Sequence, residues 1–90
     1  MSTENYINHP TFGLLYRLCM ITEGQELFVT LYAQRLFFTV TVTLPKGVTF
    51  DAISRSDARQ KFEERMRTVR RQGDYSEYDR LKPIYQQTFQ

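Results

Sequence analysis

The chain has few of the residues from which reactive sites are built: one cysteine, one histidine and four glycines among 90 residues. A single cysteine excludes an internal disulfide and supplies no metal cluster, and the dispersed glycines form no phosphate-binding loop. No spacing gives His9 or Cys19 a catalytic partner. We predict a turn position for His9 and an inert core position for Cys19. We therefore expect no catalytic residues, metal or cofactor.

Long apolar runs are also missing. None reaches the roughly 18 residues that a membrane helix needs, and the first four residues, MSTE, do not resemble a signal peptide. So short a chain buries only about 60% of its unfolded surface, which leaves little room for a deep catalytic cleft. We expect a cytoplasmic protein without a membrane segment.

The two parts of the chain differ in charge and pattern. Residues 1–53 carry three basic and four acidic side chains, a net of −1, and residues 54–90 carry nine and six, a net of +3. Apolar residues alternate in the first part and recur every three or four positions in the second. We predict a β-domain over 1–53 and a two-helix extension over 54–90.

The segment LFVTLYAQRLFFTVTVTL, residues 27–44, organises the first part. Its alternation is typical of β-strands, but 18 residues are too many for one strand of a small domain. We predict two antiparallel strands joined by a tight turn that exposes Gln34 and Arg35. A leading edge strand, a central strand over GLLYRLCMI and a short strand near Phe50 complete four or five strands. These favour a small curved barrel.

Two helices are predicted to follow. Ser54 and Asp74 are candidate N-caps, and Gly73 is a plausible stop between the helices. The expected apolar stripes are Ala58, Phe62, Met66 and Val69 on the first helix, and Tyr78, Leu81, Tyr85 and Phe89 on the second. The connection is short, so the helices should pack as an antiparallel pair. Pro83 should bend or weaken the second helix.

Arginines on the first predicted helix raise the alternative of an RNA-binding module. At 3.6 residues per turn these charges spread around the helix, so they do not form one basic stripe. Asp57–Lys61 and Glu63–Arg67 have the spacing of intrahelical ion pairs. The pattern therefore favours a solvated, self-paired helix over a nucleic-acid surface.

Aromatic residues of the first part are more numerous than a barrel of about fifty residues can bury. They are Tyr6, Phe12, Tyr16, Tyr32, Phe37 and Phe38. Some must be exposed beside Gln34 and Arg35. Tyrosine and arginine are enriched at the centres of protein interfaces. We predict a protein-docking surface at this tip.

Three segments carry a family resemblance: ENYINHPTFGLLY at 4–16, TLYAQRLFF at 30–38 and YQQTF at 85–89. They closely resemble the cyanobacterial PII-interacting protein X family, and the likeness runs essentially from end to end. It is weaker in the helical half, where Pro83 departs from the family pattern. The resemblance implies a Tudor-like (KOW-like) five-stranded antiparallel barrel followed by two C-terminal helices.

The resemblance also implies a non-enzymatic adaptor of nitrogen regulation, monomeric when free and with no small-molecule ligand of its own. Such proteins bind the PII trimer when 2-oxoglutarate is scarce, and bind and co-activate the transcription factor NtcA, a dimer, when it is abundant. The helices would be a mobile element that extends when a partner is bound. The implied partner-binding residues are Glu4, Tyr6, Phe12, Tyr32, Gln34, Arg35, Leu36 and Phe38.

Overall fold

A computed structural model describes residues 6–30, 35–43, 45 and 47–90. The five strands are β1 (Tyr6–His9), β2 (Gly13–Thr22), β3 (Gln25–Thr30), β4 (Phe37–Val42) and β5 (Val48–Ile53). The two helices are α1 (Arg55–Arg71) and α2 (Tyr75–Phe89). The strands form one antiparallel sheet in sequence order, which curls into a half-barrel and is followed by the helix pair. The predicted small barrel with two C-terminal helices is confirmed at this level.

Strand β2 pairs with both β1 and β3, as its apolar character on both faces predicted. Strict alternation would place Leu18 and Cys19 on opposite faces, and this expectation is wrong. Arg17 pairs with Phe28 while Cys19 pairs with Leu27, so Leu18 is an extra residue in a β-bulge. Leu18 and Cys19 therefore both lie in the core beneath the helices.

The long alternating segment does divide into two antiparallel strands, with Val29 of β3 opposite Phe37 of β4. The alternation predicts that Leu36 is the first apolar residue of the second strand, but β4 begins one residue later, at Phe37. The predicted tight turn falls largely on residues 31–34, outside the described residues. Successive side chains of β4 enter different cores, since Phe37 lies on the helix side and Phe38 lies inside the curl.

Both helices begin where the sequence predicted, and α1 ends before Gly73 as predicted. The Ser54 hydroxyl accepts a hydrogen bond from the Asp57 amide at 3.0 Å, and the Asp74 carboxylate accepts one from the Glu77 amide at 3.2 Å. These acceptors satisfy amides that have no partner within the first helical turn. Gly73 has a φ of 80°, a conformation that favours glycine, and it separates the two helices.

The helix-side core contains residues from both parts of the chain. The predicted apolar stripes are confirmed: Ala58, Phe62, Val69, Leu81 and Phe89 are buried, and Met66, Tyr78 and Tyr85 pack around them. Phe89, the last residue of α2, stacks on Phe37 of β4 with 5.4 Å between ring centroids. This contact fixes the C-terminal turn of α2 against the sheet.

The ion pairs of α1 differ from the predicted ones. Asp57–Lys61 and Glu63–Arg67 are absent from the ion pairs of the described residues, so that prediction is wrong. Glu63 instead accepts a hydrogen bond from the Tyr85 hydroxyl of α2. It also forms an ion pair with Arg59, with 3.2 Å between Nε and Oε2. The Tyr85 hydrogen bond is the main cause that lowers the pKa of Glu63. Glu63 thus pairs with Arg59, four residues earlier on α1, and its contact with α2 is the Tyr85 hydrogen bond.

Arginines of α1 also lie over aromatic rings of α2. The Arg70 guanidinium is 5.6 Å from the centre of the Tyr78 ring, and that of Arg55 is 5.7 Å from the Phe89 ring. Such cation–π contacts favour the paired helices. Much of the positive charge of α1 is therefore engaged within the molecule. None of the described helices is long and apolar enough to cross a membrane.

Pro83 is an exposed residue inside α2. It has no amide proton to donate to the carbonyl of Asp79, four residues earlier. We expect Pro83→Ala to stabilise the protein by about 1–3 kcal/mol, because the missing hydrogen bond outweighs the greater freedom of the unfolded alanine chain. Urea denaturation measures the change, with the exposed neighbour Lys82→Ala as the control. If Pro83→Ala is no more stable than the natural protein, the missing hydrogen bond at Pro83 does not weaken α2.

Glu77 gives α2 a pH-dependent contribution to stability. Its carboxylate accepts two hydrogen bonds from Arg80, at 2.9 and 2.7 Å, and these lower the pKa of Glu77 below 4.5. Because the folded-state pKa is the lower one, the contribution is present above pH 4.5 and disappears as the pH falls through the folded value. We expect Glu77→Gln to be less stable than the natural protein at pH 7, with a difference that shrinks in acid.

Thermal unfolding between pH 3 and pH 7 tests this expectation. Asp79→Asn, which neutralises an exposed carboxylate on the same helix, is the matched control. A stability difference for Glu77→Gln that is constant across this range would show that its carboxylate charge is not the cause.

Candidate protein-docking site

The register of the sheet brings the described candidate residues to one of its ends. Both the β1–β2 turn and the β3–β4 connection lie there, since Ile7 is opposite Leu15 and Leu15 is opposite Thr30. Four predicted residues are exposed at this end, and we call them the docking surface: Tyr6 (49%), Phe12 (46%), Arg35 and Leu36 (37%). Glu4, Tyr32 and Gln34 lie outside the described residues.

Phe38 occupies a different position from the other candidates. It is only 2% exposed and packs inside the curl with Leu15, Phe28 and Val40. The cause is the alternation of β4, which turns Phe38 towards the interior of the half-barrel. In the free protein Phe38 therefore supports the docking surface from below.

Thr30 holds the base of the β3–β4 connection. Its amide donates to the Leu36 carbonyl at 2.9 Å, and its hydroxyl accepts from the Leu36 amide at 2.9 Å. These two bonds satisfy the backbone amide and carbonyl of Leu36 at the end of the β3–β4 ladder. Arg35 and Leu36 consequently lie outside the strand with exposed side chains, as the sequence predicted for Arg35.

His9 positions the aromatic part of the surface, a role that the sequence analysis missed. Its Nδ1 accepts hydrogen bonds from the amides of Thr11 and Phe12, at 3.0 and 3.2 Å. The ring also lies 5.1 Å from Phe12, 5.1 Å from Phe38 and 4.8 Å from Phe50, measured between centroids. His9 therefore ends β1, orders the β1–β2 turn and links the two outer strands across the open side of the curl.

Tyr6 is supported by the neighbouring strand. It pairs with Tyr16 of β2, and their ring centroids are 5.3 Å apart. The contact with Tyr16 restricts the motion of the Tyr6 ring and leaves its other face exposed to a partner. Pre-ordered aromatic side chains bind partners with a smaller entropy cost.

Beside this surface the described residues place the His9 imidazole, whose Nδ1 accepts the two amide hydrogen bonds given above. Cys19 is buried beneath the helices, and desolvation raises its pKa to about 12, so it remains a thiol at neutral pH. Among these residues no three His, Cys, Asp or Glu side chains converge in a way that could hold a metal ion. Exposed rings and a guanidinium are groups suited to recognising another protein.

Comparison with known families identifies the chain as a whole. The family model of PipX, PII-interacting protein X, matches residues 3–89. The chain belongs to this family. The match includes both the half-barrel and the helix pair, so it is not confined to the segments that carry the sequence resemblance. The PipX family is one of PII-binding regulatory proteins. No curated protein gives a significant match to the chain.

The contacts of His9 generate a stability prediction. We expect His9→Ala to lower the free energy of unfolding by about 2 kcal/mol, because two amides lose their acceptor and three rings lose a neighbour. His9→Phe keeps an aromatic ring without the acceptor, so it should lose only part of that stability. Urea denaturation measures both variants. If His9→Ala unfolds at the same urea concentration as the natural protein, His9 does not order this end of the sheet.

Proposed function

We propose that this protein is a cytoplasmic adaptor that binds PII when 2-oxoglutarate is scarce and co-activates NtcA when it is abundant. The observation that carries the proposal is the docking surface, on a chain that matches the PipX family over 3–89. It acts as a monomer when free, and its role is binding without catalysis.

The proposal uses one surface for both partners. Tyr6, Phe12, Arg35 and Leu36 lie at the same end of a small sheet, so a protein bound over them excludes a second one. Competition then makes the adaptor respond to the relative affinities of its partners. Each 1.4 kcal/mol of difference in binding free energy redistributes the adaptor about tenfold.

The metabolite needs no site on the adaptor under this scheme. If 2-oxoglutarate weakens PII binding and strengthens NtcA binding, linkage transfers the adaptor between them. The ligand then binds the partners, whose two states differ in affinity for the docking surface. This places the sensing step in the partners and the competition step in the adaptor.

Residues beyond the described part of the chain complete the proposal. Tyr32 and Gln34, which are close in sequence to Arg35 and Leu36, are proposed to contact both partners, as is Glu4, which precedes β1 in the sequence. The helices are proposed to form a second, mobile element that extends when a partner binds. Their tight packing on Phe37 makes that extension a step that needs binding free energy.

Binding measurements with purified PII and NtcA test the proposal. We expect the natural protein to bind PII without 2-oxoglutarate and ATP, and to release it when both are added while NtcA is captured. Arg35→Ala and Tyr32→Ala should abolish binding to both partners, because they remove a cation and a ring from the contact surface.

Gln60→Ala, an exposed change on α1, is the matched control and should bind normally. Circular dichroism must show that the Arg35 and Tyr32 variants are folded. If both variants bind as the natural protein does, Arg35 and Tyr32 are not part of the contact surface. Binding to neither partner by the natural protein would refute the function itself.

A further inference from the structure

A groove of about 230 Å³ lies between α1 and α2. Its described lining residues are Glu63, Met66, Arg67, Arg70, Tyr78 and Tyr85. Two guanidiniums, two phenol rings and a thioether thus meet in one place, and none of these residues belongs to the docking surface. The combination is suited to a ligand that joins negative charge to a flat ring.

The groove has positive charge that the described residues do not neutralise. Arg67 and Arg70 are exposed, and neither forms an ion pair with a described residue. They are three residues apart on α1, so they lie on one side of that helix. Glu63 also lines the groove, but its carboxylate is already engaged by Arg59 and by the Tyr85 hydroxyl. Two guanidiniums therefore remain for an anion, and their donors match the oxygens of a phosphate.

The rings of the groove come from the other helix. Tyr78 and Tyr85 are half-buried and seven residues apart, about two turns, so they lie on the same side of α2. The Arg70 guanidinium is 5.6 Å from the centre of the Tyr78 ring. This contact uses no hydrogen bond, so the N–H groups of Arg70 can still donate to an anion. Proteins bind nucleotides with such a pair, since the phosphate meets the cation and the base stacks on the ring.

We propose that this groove binds a nucleoside phosphate, with the phosphate at Arg67 and Arg70 and the base against Tyr78. An acidic side chain would satisfy the guanidiniums but leave the rings uncovered, whereas a nucleoside phosphate uses both. The ligand is a free nucleotide or one unit of a single-stranded nucleic acid, which carry the same chemistry. The charge pattern of α1 did not predict this site, because its tyrosines come from α2.

The site exists only while the two helices are paired. Its cations lie on α1 and its rings on α2, so a bound ligand stabilises the helix pair of the free protein. A partner that extends the helices, as proposed above, would separate the two walls and release the ligand. The inference itself does not depend on the binding of PII or NtcA.

Nuclear magnetic resonance titration of the free protein tests the proposal with adenosine monophosphate (AMP), adenosine and inorganic phosphate. We expect AMP to shift the amide resonances of the groove residues and to bind about fivefold or more tightly than adenosine or phosphate, because only AMP makes both contacts. A short oligoadenylate distinguishes the sources of the ligand. Tighter binding than AMP supports a nucleic-acid strand, and equal or weaker binding supports a free nucleotide.

Two variants test the two halves of the site. We expect Arg67→Gln to weaken AMP binding about three- to tenfold through loss of a charged donor. Tyr78→Leu should weaken it about fivefold or more through loss of stacking. Arg71→Gln is the matched control, because it removes the same charge from an exposed residue of α1 that is outside the groove lining. Circular dichroism must show that all three variants are folded.

Three results would overturn the inference. If AMP shifts no resonance of the groove residues, the groove does not bind this class of ligand. If phosphate alone binds as tightly as AMP, the rings take no part and the groove holds an adventitious ion only. If Arg71→Gln weakens binding as much as Arg67→Gln, the attraction is a general one of net charge. None of these results changes PII binding, which the docking-surface variants test separately.

Discussion

The opposite orientation of Phe37 and Phe38 is the constraint on which the rest of the structure depends. Phe37 enters the core beneath the helices, and Phe38 enters the core inside the curl. A single sheet of five short strands cannot bury two apolar faces by itself. It must curl to cover one face and recruit other elements to cover the second. The half-barrel and the helix pair follow from these two adjacent side chains.

The same constraint explains why exposed aromatic residues can persist at one end of the sheet. The interior of the curl is already filled by Leu15, Phe28, Phe38 and Val40, so Phe12 has no place within it. Phe12 instead packs on His9 and on the edge of Phe38, with 5.4 Å between the two phenylalanine centroids. Stability and the proposed binding are therefore linked at this end, because the ring that supports the surface is itself part of the core.

Local rules in the sequence were sufficient for most of the fold. Ser54, Gly73 and Asp74 act through the backbone of their own helical turn, so their residue types indicate the helix boundaries. Alternation likewise indicates strands β2, β3 and β4. It failed at Leu18, because a bulge inserts a residue without a composition signal and changes which face the following residues occupy.

The candidate site was less predictable, since its contacts join residues that are distant in the chain. Arg35 could be recognised as exposed because it interrupts an apolar pattern. The role of His9 could not, because Phe38 and Phe50 reach it only after the sheet has curled. Glu63 is a related case: its spacing suited both Arg59 and Arg67, and Tyr85 from the other helix contacts Glu63 and Arg59. Sequence spacing describes one element, whereas these interactions belong to two.

Under the proposed function, helix position and partner binding are coupled because they share one strand end. Phe37 stacks on Phe89, while the residues immediately before Phe37 belong to the docking surface. Moving α2 away would expose Phe37, Leu81 and Phe89, and burial of each such side chain contributes about 1.5–3 kcal/mol. A partner that extends the helix must supply that free energy through its own contacts, whereas a partner that leaves the helix packed need not. Two partners of equal contact area would then bind with different affinity, so the helix pair can contribute to selectivity without contacting either partner.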